Sequence, residues 1–145
     1  MHKIKGTSMQ SIFHLAYNVI DLESTRVFYR DVLGCVEGRS TDTWVDFNFF
    51  GHQISMHLGE PFSVKDTGIV GEHIVSMPHL GVVLQLDDWH KVAKRLEAVN
   101  TEFIIAPVGR FIGKVGEQYT MFFTDPSGNP IEIKGFKDLG TVFDN

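Results

Sequence analysis

The sequence predicts an α+β fold of two βαβββ modules, joined as a curved, partly open mixed sheet around a cleft with the helices outside. Three observations carry that prediction. The chain has 145 residues, room for one domain with a substantial core. The order strand, helix, then about three strands occurs twice along it. The two openings nearly superpose, since His14 to Gly34 spans 20 positions and His79 to Asn100 spans 21. A unit of this size does not bury its own sheet, so duplication implies that each half needs the other.

Module one covers about residues 11–60. FHLAYNV alternates, with Phe13, Leu15, Tyr17 and Val19 on one side and His14, Ala16 and Asn18 on the other. Asp21 then caps a helix with Val27, Phe28, Val32 and Leu33 along one side, and Gly34 supplies the left-handed residue that ends it. A weak strand is read at Cys35 to Arg39. TWVDFNFF and QISMHL follow as a hairpin through Gly51-His52. Residues 61–78, PFSVKDTGIVGEHIVSMP, break the periodicity and read as a connecting loop.

Module two, about residues 79–137, restarts the pattern. PHLGVVLQL sets His79, Gly81, Val83 and Gln85 opposite Leu80, Val82, Leu84 and Leu86. DDWHKVAKRLEAVN reads as a helix capped by Asp87 or Asp88, with Trp89, Val92, Ala93 and Leu96 on one stripe and Asn100 as terminator. TEFIIAP, YTMFFTD and NPIEIKGF are strands, the last two joined by the turn DPSGN, and a short C-terminal tail follows.

Composition narrows the function. At 43% hydrophobic and 21% charged the chain has an ordinary globular composition. A net charge of −5 without any run of Lys or Arg argues against nucleic acid or an anionic membrane as partner. Cys35 is the only cysteine, which excludes an internal disulfide and any multi-cysteine metal site. No apolar run has the length of a signal peptide or a membrane span, so a cytoplasmic location is expected.

His14 and His79 open equivalent strands, and each is followed two positions later on the same face by a small residue, Ala16 or Gly81. His57 stands opposite Ile54 and Met56, and Glu132 stands opposite Ile131 and Ile133. A strand histidine read singly is more often solvated or hydrogen-bonded than ligating. It is the equivalent placement that makes these residues a set. Three imidazoles and one carboxylate suit a divalent metal such as Fe2+, Mn2+, Ni2+ or Zn2+, with an open position for substrate or water. The cleft is therefore expected to be metal-binding, with His14, His57, His79 and Glu132 as ligands.

At these residues the chain resembles the vicinal oxygen chelate superfamily, which groups glyoxalase I, extradiol dioxygenases and the fosfomycin and bleomycin resistance proteins. FHLAYNVIDLESTRVFYRDVLG, PHLGVVL and TDPSGNPIEIKGF carry the resemblance, which covers about residues 11–137. WVDFNFFGHQISMHL and VGEQYTMFFTDPSGN resemble a subgroup of small dioxygenase- or glyoxalase-like proteins. The resemblance places ligands at His14, His79 and Glu132, and sets His57 where glyoxalase I has a glutamate ligand. His52 is read as a rim residue.

The implied chemistry is chelation of two adjacent substrate oxygens by a divalent ion, which stabilises charge developing on oxygen. Glu132 and Tyr119 are the catalytic candidates. Trp44, Phe122, Arg110 and Gln118 are the candidate substrate contacts. Phe122 occupies the place, ten residues before the glutamate, where many extradiol dioxygenases carry tyrosine. A histidine in place of glyoxalase I's glutamate removes a carboxylate able to shuttle protons. No cluster of Lys and Arg for binding an anion stands out, which counts against the thiol-transferase resistance enzymes. Asp46 and Asn48 share a face with Trp44, and GRFIGKVGEQY is a candidate flap over the cleft. The expected protein is a homodimeric metal-dependent dioxygenase or lyase/isomerase acting on a small molecule. The rival is a metal-free drug-sequestering protein.

Overall fold

Both modules wind their strands in one pattern. The computed structural model describes residues 9–144. Its first sheet comprises β1 (His14–Val19), β2 (Val36–Ser40), β3 (Trp44–Phe49) and β4 (His52–Leu58), in the spatial order β1-β4-β3-β2. The second comprises β7 (Leu80–Gln85), β8 (Ile105–Arg110), β9 (Gln118–Thr124) and β10 (Pro130–Phe136), in the equivalent order β7-β10-β9-β8. In each, the first strand lies parallel to the last and the remaining pairs are antiparallel. The duplicated reading holds, but the single curved sheet is corrected. Each module keeps its own four-stranded mixed sheet.

The helices form where the sequence places them, with different caps. Asp21 accepts a hydrogen bond from the Ser24 amide at 2.7 Å and opens α1 (Leu22–Arg26), which runs on as π-helical turns over Val27–Val32. Gly34, at φ 79°, follows the helix in the left-handed region that glycine tolerates. The second helix, α2 (Leu86–Ala98), is capped by Gln85 instead of Asp87 or Asp88. Both aspartates fall in its first turn, where their charge favours the helix dipole.

The expected loop at 61–78 is also corrected. It contains a two-stranded hairpin, β5 (Lys65–Val70) and β6 (His73–Met77). Its alternation is hidden because Gly68 interrupts one strand and only Val75 is fully buried, packed with Phe122 and Ile105. The hairpin therefore covers part of the second sheet on the side away from α2.

One hydrophobic core takes side chains from both modules, including Tyr29, Leu33 and Phe47 from the first and Leu96, Phe123 and Ile133 from the second. A buried polar relay crosses it. Tyr17 Oη donates to Tyr29 Oη, which donates to Asp125 Oδ2, both at 2.8 Å. Asp125 also accepts the Ser127 and Asn129 amides and Asn129 Nδ2, which fixes the DPSGN turn. Asn129 Nδ2 reaches the Asn18 carbonyl as well, so the turn of module two is tied to β1. Burial pushes the Tyr17 and Tyr29 hydroxyls above the ordinary phenol range, so both stay neutral donors. Burial likewise pushes the Cys35 thiol up to about 12, too high for a reactive thiolate.

Candidate metal centre

The face of the second sheet opposite α2 is laid out in rows. That it lies opposite α2 follows from Gly135, on the other face of β10, where any Cβ would press on the Trp89 ring. Phe122, Glu132 and Gly81 form one row across three strands, and Thr120, Lys134 and Val83 form the next. Gly81 is needed there, because a Cβ would overlap the Glu132 carbonyl. The missing side chain lets β7 approach the Glu132 backbone closely.

His79 reaches this row from just before β7. Its Nε2 lies 3.3 Å from Glu132 Oε1, and its Nδ1 lies 2.8 Å from the Ser76 carbonyl. A carbonyl only accepts, so Nδ1 carries the proton; in a neutral ring Nε2 then presents a lone pair toward Glu132. Glu132 is 7% exposed, and its other oxygen, Oε2, accepts from Thr120 Oγ1 at 2.5 Å. Phe122 packs edge-on against the imidazole with centroids 4.8 Å apart. An imidazole nitrogen and a carboxylate oxygen thus face each other in a largely buried pocket walled by Phe122 and roofed by the hairpin. Such an approach is favourable only with a positive charge between them.

The fit to a metal can be tested on that distance. Two N/O donors about 2.1 Å from one ion, at tetrahedral or octahedral angles, stand about 3.0–3.4 Å apart. A charge-assisted N–H···O bond is usually shorter, about 2.7–2.9 Å. The observed 3.3 Å matches the pair of ligands better than an imidazolium–carboxylate hydrogen bond.

The other expected ligands are elsewhere. His14 is exposed on the open face of β1, and among the described residues no three His, Cys, Asp or Glu side chains converge on one point. His57 shares the open face of the first sheet with His14 but stands opposite Asn18, four residues, or about 13 Å, along the strand. It stacks on Trp44, with centroids 6.0 Å apart. The residue opposite Ala16 is Ser55, as Glu132 is opposite Gly81. By register, then, Ser55 is the counterpart of Glu132, and His57 is the counterpart of Lys134. His52 Nδ1 accepts the Phe13 amide at 3.3 Å, a rim contact as expected.

Tyr119 belongs to the helix-side face of β9. Its ring packs against Trp89, and its hydroxyl donates to Glu117 at 2.9 Å. Strand alternation that sends Thr120 and Phe122 to Glu132 necessarily sends Tyr119 away. Gln118 and Arg110 pair across β9 and β8 toward the outer end of the Glu132 face, and the Arg110 guanidinium lies over Phe111. Asp46 accepts from Gln53 on the first sheet's open face at 3.3 Å.

Residues 11–133 match the family model described as the Glyoxalase/Bleomycin resistance protein/Dioxygenase superfamily. The chain belongs to this superfamily. Among solved structures, a glyoxalase/bleomycin resistance protein/dioxygenase from Alicyclobacillus acidocaldarius is similar at 27% identity and TM-score 0.70, covering 92% of this chain and 96% of that one. A genomically encoded fosfomycin resistance protein from Listeria monocytogenes matches at 20% identity and TM-score 0.62, covering 93% and 98%. A lactoylglutathione lyase from Agrobacterium tumefaciens matches at 20% identity and TM-score 0.63, covering 92% and 99%. The last two are similar in fold alone. A comparison with curated protein sequences finds no match.

For this member of the glyoxalase superfamily, reading the sequence missed Thr120 and Ser76, which hold the two candidate ligands. Thr120 carried a usable signal, since it shares a strand face with Phe122 in YTMFFTD. Ser76 acts through its backbone carbonyl, for which sequence offers no signal.

Proposed function

We propose that this protein is a divalent-metal-dependent enzyme acting on a small molecule with vicinal oxygens, through a glyoxalase-like lyase or isomerase reaction or a dioxygenase-like one. The observation that carries the reading is the 3.3 Å approach of His79 Nε2 to Glu132 Oε1, with each partner held from behind. His79 and Glu132 would hold the ion, which when bound supplies Lewis-acid stabilisation of charge on a substrate oxygen. Thr120 keeps Glu132 turned so that one oxygen faces the imidazole. Ser76 keeps the ring's proton on Nδ1. Phe122 and Val75 keep water out.

His14 completes the set from a second copy. Both sheets turn their helix-side faces into one core, so the faces bearing His14 and Glu132 look outward. A twofold dimer that lays the first sheet of one copy against the second sheet of the other supplies the missing imidazole twice. No helix among the described residues is long and apolar enough to cross a membrane.

Elemental analysis of the purified protein tests this, with a designed heterodimer as control. His14→Ala and Glu132→Ala homodimers lose the metal, whereas a heterodimer of one chain of each, isolated through two tags, retains one ion per dimer. A wild-type protein without metal after loading with Mn2+, Ni2+, Zn2+ and Fe2+ refutes the reading. It favours metal-free small-molecule binding, with His79 and Glu132 as a polar pair in the pocket.

A further inference from the structure

Beyond Glu132, the same face of β10 continues to Lys134, about 7 Å along the strand on the same side. Lys134 is half-buried and forms the floor, with Val83, of a pocket of about 530 Å³. The loop 114–117 and the C-terminal segment 137–144 wall it in. Three lysines, Lys114, Lys134 and Lys137, line it, although they lie apart in the sequence. Two of the pocket's three carboxylates are engaged. Glu117 pairs with Lys137 at 3.0 Å, and Asp138 accepts the Gly140 amide at 2.8 Å. Asp144 is exposed at the mouth. Among the described residues no carboxylate lies within 4.0 Å of Lys134 or Lys114. Lys134, half-buried as a residue and with no carboxylate within 4.0 Å, lines the pocket one row beyond a candidate metal ligand, where it is placed to meet an anion brought in from outside.

We propose that Lys134, assisted by Lys114, receives an oxyanion of the substrate, so that the ligand is a small oxyacid with a second anionic group a few bonds from its chelating oxygens. The proposal rests on the metal reading above for the position of the chelating end. The chemistry is that of a carboxylate or a phosphonate, whose source the ligand series separates.

The test is calorimetric titration of the Mn2+-loaded protein with 2-hydroxyglutarate, 2-hydroxy-4-phosphonobutanoate and 2-hydroxypentanoate. These share a chelating end and differ at the far end. The expected result is that at least one of the anionic pair binds at least tenfold more tightly than the uncharged analogue. Lys134→Gln abolishes that preference at unchanged metal content, and Lys134→Arg keeps most of it. Equal affinities in the wild type, or a preference that survives Lys134→Gln, overturn the proposal. Should the protein take up no metal, the metal reading fails on its own. Glutarate against pentanoate on the metal-free protein then decides the pocket: binding of glutarate lost in Lys134→Gln sustains it, and no difference sinks it.

Discussion

Replacing Thr120 with valine removes one donor and almost no volume, which isolates what the hydroxyl does for Glu132. Thr120 is 3% exposed and Glu132 7%, so water does not replace the lost bond. A hydrogen bond to a charged group is worth about 1.5–3 kcal/mol, and partners behind a metal ligand typically set affinity by about 10–100-fold. The two figures agree, since about 1.4 kcal/mol is tenfold. Thr120→Val is therefore expected to weaken Mn2+ or Zn2+ binding by about 10–100-fold, with Thr120→Ser recovering most of it. The assay is competition with a chromophoric chelator, beside a urea titration to confirm that the variant folds. Unfolding measured without metal reports the fold separately from the metal affinity. A folded Thr120→Val protein with unaltered metal affinity would refute the argument that this hydroxyl holds the ligand oxygen.

Two further outcomes follow from the relay and the flap. Tyr29→Phe strips Asp125 of a donor and Tyr17 of its acceptor in a buried site, and should cost about 2–4 kcal/mol in urea unfolding at unchanged slope; a loss under about 0.5 kcal/mol would show that the relay is not stabilising. Glu117 is held at about 2, below its ordinary 4.5, first by the Gly113 amide and then by Lys137 and Tyr119. A depressed carboxyl stabilises the folded state above its unfolded value, and that contribution is lost as pH falls from about 4.5 to about 2. Glu117→Gln should flatten the acid limb of stability over that window, read as urea midpoint against pH, and an unchanged limb would count against the pairing.

What was legible in the sequence depended on how far each signal reaches along the chain. The repeat was legible because strand alternation, Asp21 and Gly34 are local, and local chemistry decides strands and helix ends. The hairpin at 65–77 was not, because its burial comes from Val75 packing on Phe122 and Ile105, 47 and 30 residues away. The reading of His57 as a ligand beside His14 rests on strand face, on its place in the module's closing strand and on the resemblance, none of which fixes register. Face is set by parity, but position along the face is set by register, which depends on how β1 and β4 slide against each other. A shift of two residues changes no side chain's face, yet it moves a candidate ligand by about 7 Å, beyond reach of a shared ion. The same logic explains the lysines. Nothing near Lys134 in IEIKGF marks it as part of a pocket lined by three lysines, since Lys114 arrives from a loop and Lys137 from just beyond the strand's end. Parity nevertheless required Lys134 to share the Glu132 face, one row outward.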